Sequence, residues 1–324
     1  MCLLRHSVEI LMIMIHYKRF CSSAVLWSLL ACFALTGDIS ARPRFDVWTT
    51  ENGLPQNSVY SILQTRDGYL WFTTLDGLVR FDGVRFTVFY KGATKGISSN
   101  RFSTLFEDRE GTLWIGTEDG GVTMHRAGTF SSFTTADGLP HNSVRAIRDD
   151  VGGGILILTN DGSVRYQQGR FLPPTPQAGE PKDQFGYRGR SGALWYVDKQ
   201  GLHKIKDGNT TTYTVRDGLS SLDIYGIQQG SLEGLYGGLY ESRDSSLWVA
   251  ARDATLSRLK DGVVTVYKAK NGLPELKAIW EDQQGVLWLA TDAGVVQFSD
   301  GKFANFSTES NLSSKFCKTI YEDR

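Results

Sequence analysis

One short phrase recurs along this chain at near-constant spacing. It reads GYLWFTTLDG at 68–77, GTLWIGTEDG at 111–120, GALWYVDKQG at 192–201 and GVLWLATDAG at 285–294. Two further copies are degraded. GGILILTNDG at 153–162 puts Leu156 in the place of Trp, and SSLWVAARDA at 245–254 replaces both glycines. The anchor positions are Trp71, Trp114, Leu156, Trp195, Trp248 and Trp288, at spacings of 43, 42, 39, 53 and 40 residues. A period of about 40 residues with strand-like content implies a set of equivalent small sheets.

Residues 96–135 show the grammar of one unit. NRFSTLFED at 100–108 alternates apolar and polar residues and predicts a strand. REG makes a turn, TLWIGT a second strand, and EDGG a turn whose glycine suits a tight hairpin. VTMHR, AG and TFSSFTT supply a third strand, a turn and a fourth strand. A linker follows, ADGLPHNS, related to NGLPQN at 52–57, KGISSN at 95–100, DGLSSL at 217–222, NGLPEL at 271–276 and SNLSSK at 310–315.

A single four-stranded sheet leaves both faces unburied. Packing such sheets radially about an axis covers both, so the expected fold is all-β, a β-propeller of four-stranded antiparallel blades. The repeated Trp is expected between neighbouring blades. Solenoids fit less well, because helical periodicity is missing. FDVWTT at 45–50 matches an outer fourth strand, and SKFCKTIYEDR at 314–324 matches the first strand of another unit. The expectation is six full blades plus a partial seventh, with the next Trp falling about five residues beyond Arg324. A six-bladed ring with a frayed end is the alternative.

Charge and cysteine usage narrow the function. The chain has 35 basic and 35 acidic residues and no basic block, which argues against nucleic acid and anionic membrane surfaces. Lys18 and Arg19 precede the apolar run FCSSAVLWSLLACFAL at 20–35, and small and polar residues follow to Ala41. This describes a signal peptide over 1–41, with the propeller over 42–324. Met12 and Met14 are alternative starts. Cys32 in LLAC offers a lipoprotein reading, and an uncleaved anchor is a further one. After cleavage only Cys317 would remain, which excludes an intrachain disulfide and suits a small core residue.

The pattern D-x-x-G-x-L-W-x-G-T-x-x-G, as DREGTLWIGTEDG at 108–120, together with the NGLPxN linker, resembles the two-component regulator propeller repeat. The resemblance covers roughly 45–324. WD repeats and sialidase Asp-boxes also place an aromatic after a turn, but neither pairs it with this linker. The resemblance implies the periplasmic or extracellular sensor part of a bacterial receptor, tethered to the inner membrane if part of a longer protein. Such sensors precede an immunoglobulin-like module, a membrane helix and a histidine kinase or diguanylate cyclase, and many sense glycan fragments. The output domains are missing from this sequence, so signalling activity is not expected on it. The resemblance also leaves room for a homodimer in a full-length receptor.

Candidate ligand contacts follow from the expected rim of linkers and second-to-third turns. Asn57, Asn100, His141 and Asn142 come from the linkers, with Tyr60, Arg101 and Arg145 just inside the first strands. Amide, guanidinium and aromatic groups suit sugars or small anions. Asparagines in such loops also cap turns. The long Trp195–Trp248 interval flags an inserted loop within 226–246, where Glu233, Tyr236 and Tyr240 could meet a ligand. The Pro-rich LPPTPQAGEPKD at 172–183 replaces a linker and is expected to be stiff.

Catalysis has little footing. The pairs Glu107–Asp108 and Glu281–Asp282 recur at equivalent positions and fit a turn role. His125, His141 and His203 fall in different units, which argues against a metal triad. No nucleophile elbow or phosphate loop is present, and no cofactor is expected. A lyase or hydrolase acting on a polysaccharide or lactone, and a protein-interaction scaffold, are the competing functions.

Overall fold

The computed structural model describes residues 48–150, 152–175, 186–224, 238–270, 272–305 and 316–322. Those residues form a propeller of six four-stranded antiparallel sheets, each ordered first to fourth strand along the chain. Blade 2 shows the pattern: Phe102–Glu107, Leu113–Thr117, Val122–Arg126 and Thr129–Phe133. The leader assigned to 1–41 lies outside the described residues.

The second strand of each blade lies mid-sheet with a neighbour on either side, so both its faces are covered. Every residue of Leu70–Thr74, Leu113–Thr117, Ile155–Thr159, Leu247–Ala251 and Leu287–Thr291 is buried. Fourth strands face outward, and Asn209–Tyr213 is exposed along most of its length. First strands line the axis. Ser103 donates from its hydroxyl to the Val144 carbonyl of the next blade at 3.2 Å. Each of the first strands of blades 2, 3 and 6 shifts register by one residue, at Ser103, Arg145 and Lys277.

The repeated tryptophan joins blade to blade, as expected. Trp71 of blade 1 is buried with Phe102, Leu113, Ile115 and Phe130 of blade 2. Trp114 sits with Val144, Ile147 and Ile155 of blade 3. Trp195 sits with Leu239 and Leu247 of blade 5, and Trp248 with Leu287 and Phe298 of blade 6. Where Leu156 replaces Trp, the described residues form a small cluster with Ala146 and Leu158.

Four of the five repeat indoles donate to the residue six positions before them. Trp114 donates to Oδ2 of Asp108 and Trp288 to Oδ2 of Asp282, both at 2.8 Å. Thr65 accepts from Trp71 at 3.2 Å, and Ser242 accepts from Trp248 at 2.7 Å. The other carboxylate oxygen of Asp108 takes the Glu110 and Thr112 amides, so one side chain closes the turn and anchors the indole. The residue just before this acceptor ties adjacent blades. Glu107 accepts from the Arg66 amide, Glu241 from Ser191 and Glu281 from Arg243, each donor lying on the preceding blade. The Glu–Asp pairs are thus structural on both members.

Three linkers contain a single turn of 3-10 helix that the sequence pattern alone did not suggest. Thr134 caps Thr135–Asp137, Asp137 reaches back to the Thr134 amide, and Gly138 ends the turn at φ 111°. Thr49 with Asn52 and Thr214 with Asp217 repeat it. Consequently Thr50 belongs to this turn and not to an outer strand, and Trp48 rests on Phe81 and Phe86.

A partial seventh blade does not appear as a strand. The Cys317 amide donates to the Thr291 carbonyl, and, among the described residues, 316–322 have no partner strand on their other side. They nevertheless fill the gap between the last and first blades. Cys317 and Ile320 are buried with Trp288 and Val295 of blade 6, and Tyr321 packs on the Leu54–Phe72 cluster of blade 1. Burial pushes the Cys317 thiol up to about 12, consistent with a core residue.

Candidate functional site

The start of each first strand and the end of each second strand meet at one end of the propeller. Backbone bonds fix this junction. The Glu118 amide donates to the Arg101 carbonyl, Asn160 to Ser143, Arg252 to Asp223 and Asp292 to Glu275. Side chains at these junctions surround the axial mouth. Arg101 pairs with Glu118, its Nε donating at 2.7 Å. Arg145 Nε donates to Asn160 Oδ1 at 2.6 Å. Arg252 lies 3.4 Å from Asp223, and Lys277 lies 3.0 Å from Glu275.

Residues 316–322 complete this ring. The Lys277 ammonium stands over the Phe316 ring at 5.4 Å, and Lys318 stands over the Tyr60 ring at 3.8 Å. The second contact joins the chain's last described segment to blade 1. Among the described residues Lys318 has no carboxylate within ion-pair reach, unlike Arg101, Arg252 and Lys277. An ammonium on an aromatic face keeps its charge available to an incoming acceptor.

The sequence-selected residues divide into two sets. Tyr60, Arg101 and Arg145 stand at the axial mouth. Asn57 and Asn142 instead accept from the Thr50 and Thr135 amides at 2.7 and 2.9 Å, so each carbonyl oxygen holds the linker's helical turn. Asn100 accepts from the Lys91 amide at 2.6 Å. His141 accepts through Nδ1 from the Ser143 amide at 2.8 Å. Tyr240 was assigned to the inserted loop, but it occupies the strand Leu239–Glu241 and is 9% exposed. Its apolar ring fills the blade 5–6 interface, which is why pattern alone misplaced it. Burial pushes its hydroxyl pKa up, with Arg190 and Glu281 alongside. Glu233 and Tyr236 lie outside the described residues.

Sequence reading missed the polar and charged partners at the mouth: Glu118, Asn160, Asp223, Arg252, Glu275 and Lys277. Glu118, Asn160 and Arg252 sit four residues after a repeat anchor, a periodic position that could have revealed them. It also missed the chain Asp198–His203–Thr212. His203 Nε2 lies 2.7 Å from Asp198, Nδ1 lies 2.9 Å from Thr212, and the ring stacks on Tyr196. This chain ties the turn after Leu194–Val197 to the third and fourth strands of blade 4. Among the described residues no cluster of three metal-binding side chains occurs.

The fold and repeat define a class. The two-component regulator propeller profile matches residues 53–76 and 96–119. No curated protein sequence matches the chain. Its structure resembles the extracellular domain of a protein described as a hybrid two component system from B. thetaiotaomicron. That match has 20% identity and a TM-score of 0.60, over 85% of this chain and 39% of that one. The extracellular domain of a one component system from the same organism matches at 19% identity and a TM-score of 0.55, over 76% and 35%. Virginiamycin B lyase from Staphylococcus aureus matches at 16% identity and a TM-score of 0.53, over 76% and 83%. The chain spans well under half of both sensor domains, and at these identities the likeness concerns the fold. The protein is a propeller domain resembling the extracellular domains of two-component sensors. No helix among the described residues is long and apolar enough to cross a membrane.

Proposed function

We propose that this propeller is the ligand-sensing, non-catalytic module of an extracytoplasmic signalling receptor, and that its ligand binds at the axial mouth. The observation that carries the site is Lys318 on Tyr60. It is a cation without a carboxylate partner in a ring whose other basic groups are engaged. Such an arrangement suits a small ligand bearing acceptor oxygens, a glycan fragment among them. The repeats and the sensor-domain resemblance support the receptor setting.

A seven-bladed form is part of this reading. Glu322 accepts from the Gln283 amide at 3.0 Å, as Glu107, Glu241 and Glu281 accept from the blades before them. That bond supports reading residues 316–322 as the first strand of a seventh blade.

Non-catalytic binding is favoured over a lyase-like reaction by what Arg145 and His141 meet. A reaction needs acid, base and charge-stabilising groups converging on one point. Arg145 meets the neutral amide of Asn160, and His141 meets a backbone amide. The test is calorimetric titration of the protein with neutral and acidic glycan fragments, repeated on a Lys318→Met variant. Binding that the variant weakens severalfold is the expected result. Absence of heat across all fragments would sink the glycan reading, and turnover of any fragment would sink the non-catalytic one.

A further inference from the structure

A second cavity opens at the opposite end of the molecule, between blades 5 and 6. It measures about 520 Å³. Its walls carry three aromatic rings, Trp248, Tyr267 and Phe298, and three carboxylates, Asp244, Glu281 and Asp300. The rings pack at steep angles, 5.3 Å from Trp248 to Phe298 and 4.9 Å from Tyr267 to Phe298.

The corresponding place between blades 1 and 2 explains why space is left here. There, Tyr69 lies under the Arg80 guanidinium at 4.5 Å, and Arg126 reaches Glu110 across the lip at 3.3 Å. In blades 5 and 6 the matching positions hold Ser246, Ser299 and Gln284. A phenol and a long ion pair have become two hydroxyls and an amide. The turn changes as well. Ala127 and Asp300 both adopt a left-handed backbone, φ 49° and 51°, but only the second adds a carboxylate.

Charge then selects the occupant. Lys260 and Arg258 both bind Asp244. Burial works against that carboxylate's charge, yet hydrogen bonds from Lys260, Ser246 and Arg258 hold it well below the usual carboxylate range. Three carboxylates against the two cations Lys260 and Arg258 leave the cavity negative by one charge, and both cations are turned to Asp244. A partly enclosed, aromatic-walled, negative cavity attracts an organic cation through ring quadrupoles and Coulomb attraction together.

We propose that the blade 5–6 cavity binds an organic ammonium ligand, its charge facing Asp300 and Glu281 and its apolar body on Tyr267 and Phe298. This site is independent of the axial mouth and of the reading given for it.

The test titrates the full chain with choline, with agmatine and with 3,3-dimethylbutanol, the neutral isostere of choline, at low salt. At least one of the two cations binds in the millimolar range or tighter, and the neutral alcohol binds at least about tenfold more weakly. Asp300→Asn keeps the left-handed turn, which Asn tolerates, and weakens cation binding severalfold. Ser299→Arg with Gln284→Glu restores the lip found between blades 1 and 2 and removes binding. No binding of either cation at 20 mM would overturn the proposal. So would equal binding of the alcohol, or undiminished binding by either variant whose thermal unfolding matches the parent's.

Discussion

Trp195 has no acceptor for its indole N–H among the described residues, because the position six residues before it is Gly189. In blades 2 and 6 that position is an aspartate bonded to the indole. The next blade crowds this position. A Cβ at residue 189 would lie 1.7 Å from Oε2 of Glu241, whose carboxylate accepts from the Ser191 amide. Blade 4 has given up the indole bond and kept the tie to blade 5.

A consensus repair should therefore fail. Gly189→Asp restores the repeat pattern, yet it collides with a buried carboxylate and sets a second negative charge beside it. The expected cost is about 2 kcal/mol or more, read as a lower urea midpoint. A stabilised variant would mean that Glu241 is free to move aside.

Asp108 gives the opposite case. It is 9% exposed and accepts from the Trp114 indole and from two turn amides. Asp108→Ala leaves three donors without their acceptor at the blade 2–3 interface. The expected loss is about 3 kcal/mol, with Asp108→Asn losing about half of that, because a single amide oxygen remains. Urea unfolding followed by tryptophan fluorescence measures both. Equal stability of Asp108→Ala and the parent would show that the carboxylate is dispensable.

These two positions also mark how far the sequence could be read. The Trp period defined the blades and their strands, since a buried aromatic at fixed register on the second strand of five blades has one geometric use. The acceptor six residues earlier was only partly visible, because Asp108, Thr65 and Ser242 do the same job with different chemistry. The Glu ties between blades join residues far apart in sequence, and no local pattern states such a contact. At the axial mouth Tyr60, Arg101 and Arg145 could be picked from register alone. Their partners Glu118 and Asn160 were legible by the same route, four residues after Trp114 and Leu156, but the pairing itself joins residues 17 and 15 positions apart, which no local pattern states. The linker asparagines looked available for a ligand since nothing local revealed the 3-10 turn that uses their oxygens.

Alkaline stability carries a signature of two buried acids. Burial raises Cys317 from 9.0 to about 12, and burial, foremost, raises Tyr187 from 10.0 to about 12. Both groups stay neutral in the folded protein after their unfolded counterparts ionise. Their stabilising contribution is full below about pH 9 and is lost as pH rises from there towards 12. Unfolding free energy should thus fall across that window. Cys317→Ala should fall less steeply between pH 9 and 12, and a slope identical to the parent's would refute the assignment. The same burial predicts that a thiol reagent at pH 8 labels Cys317 only at the rate of opening.

Asn142 allows structure and ligand contact to be separated at one residue. Its Oδ1 accepts from the Thr135 amide at 2.9 Å, and that amide opens the helical turn capped by Thr134 and Asp137. Asn142→Ala removes the acceptor and should cost about 1 kcal/mol. Asn142→Asp keeps an acceptor at the same place and should retain most of the stability. If the residue serves only the linker, both variants bind the axial-mouth ligand with unchanged enthalpy once folded. If its Nδ2 also donates to the ligand, Asn142→Asp loses affinity while keeping its thermal midpoint. That split between midpoint and affinity assigns the residue, because a side chain needed only by the turn cannot lose one and keep the other.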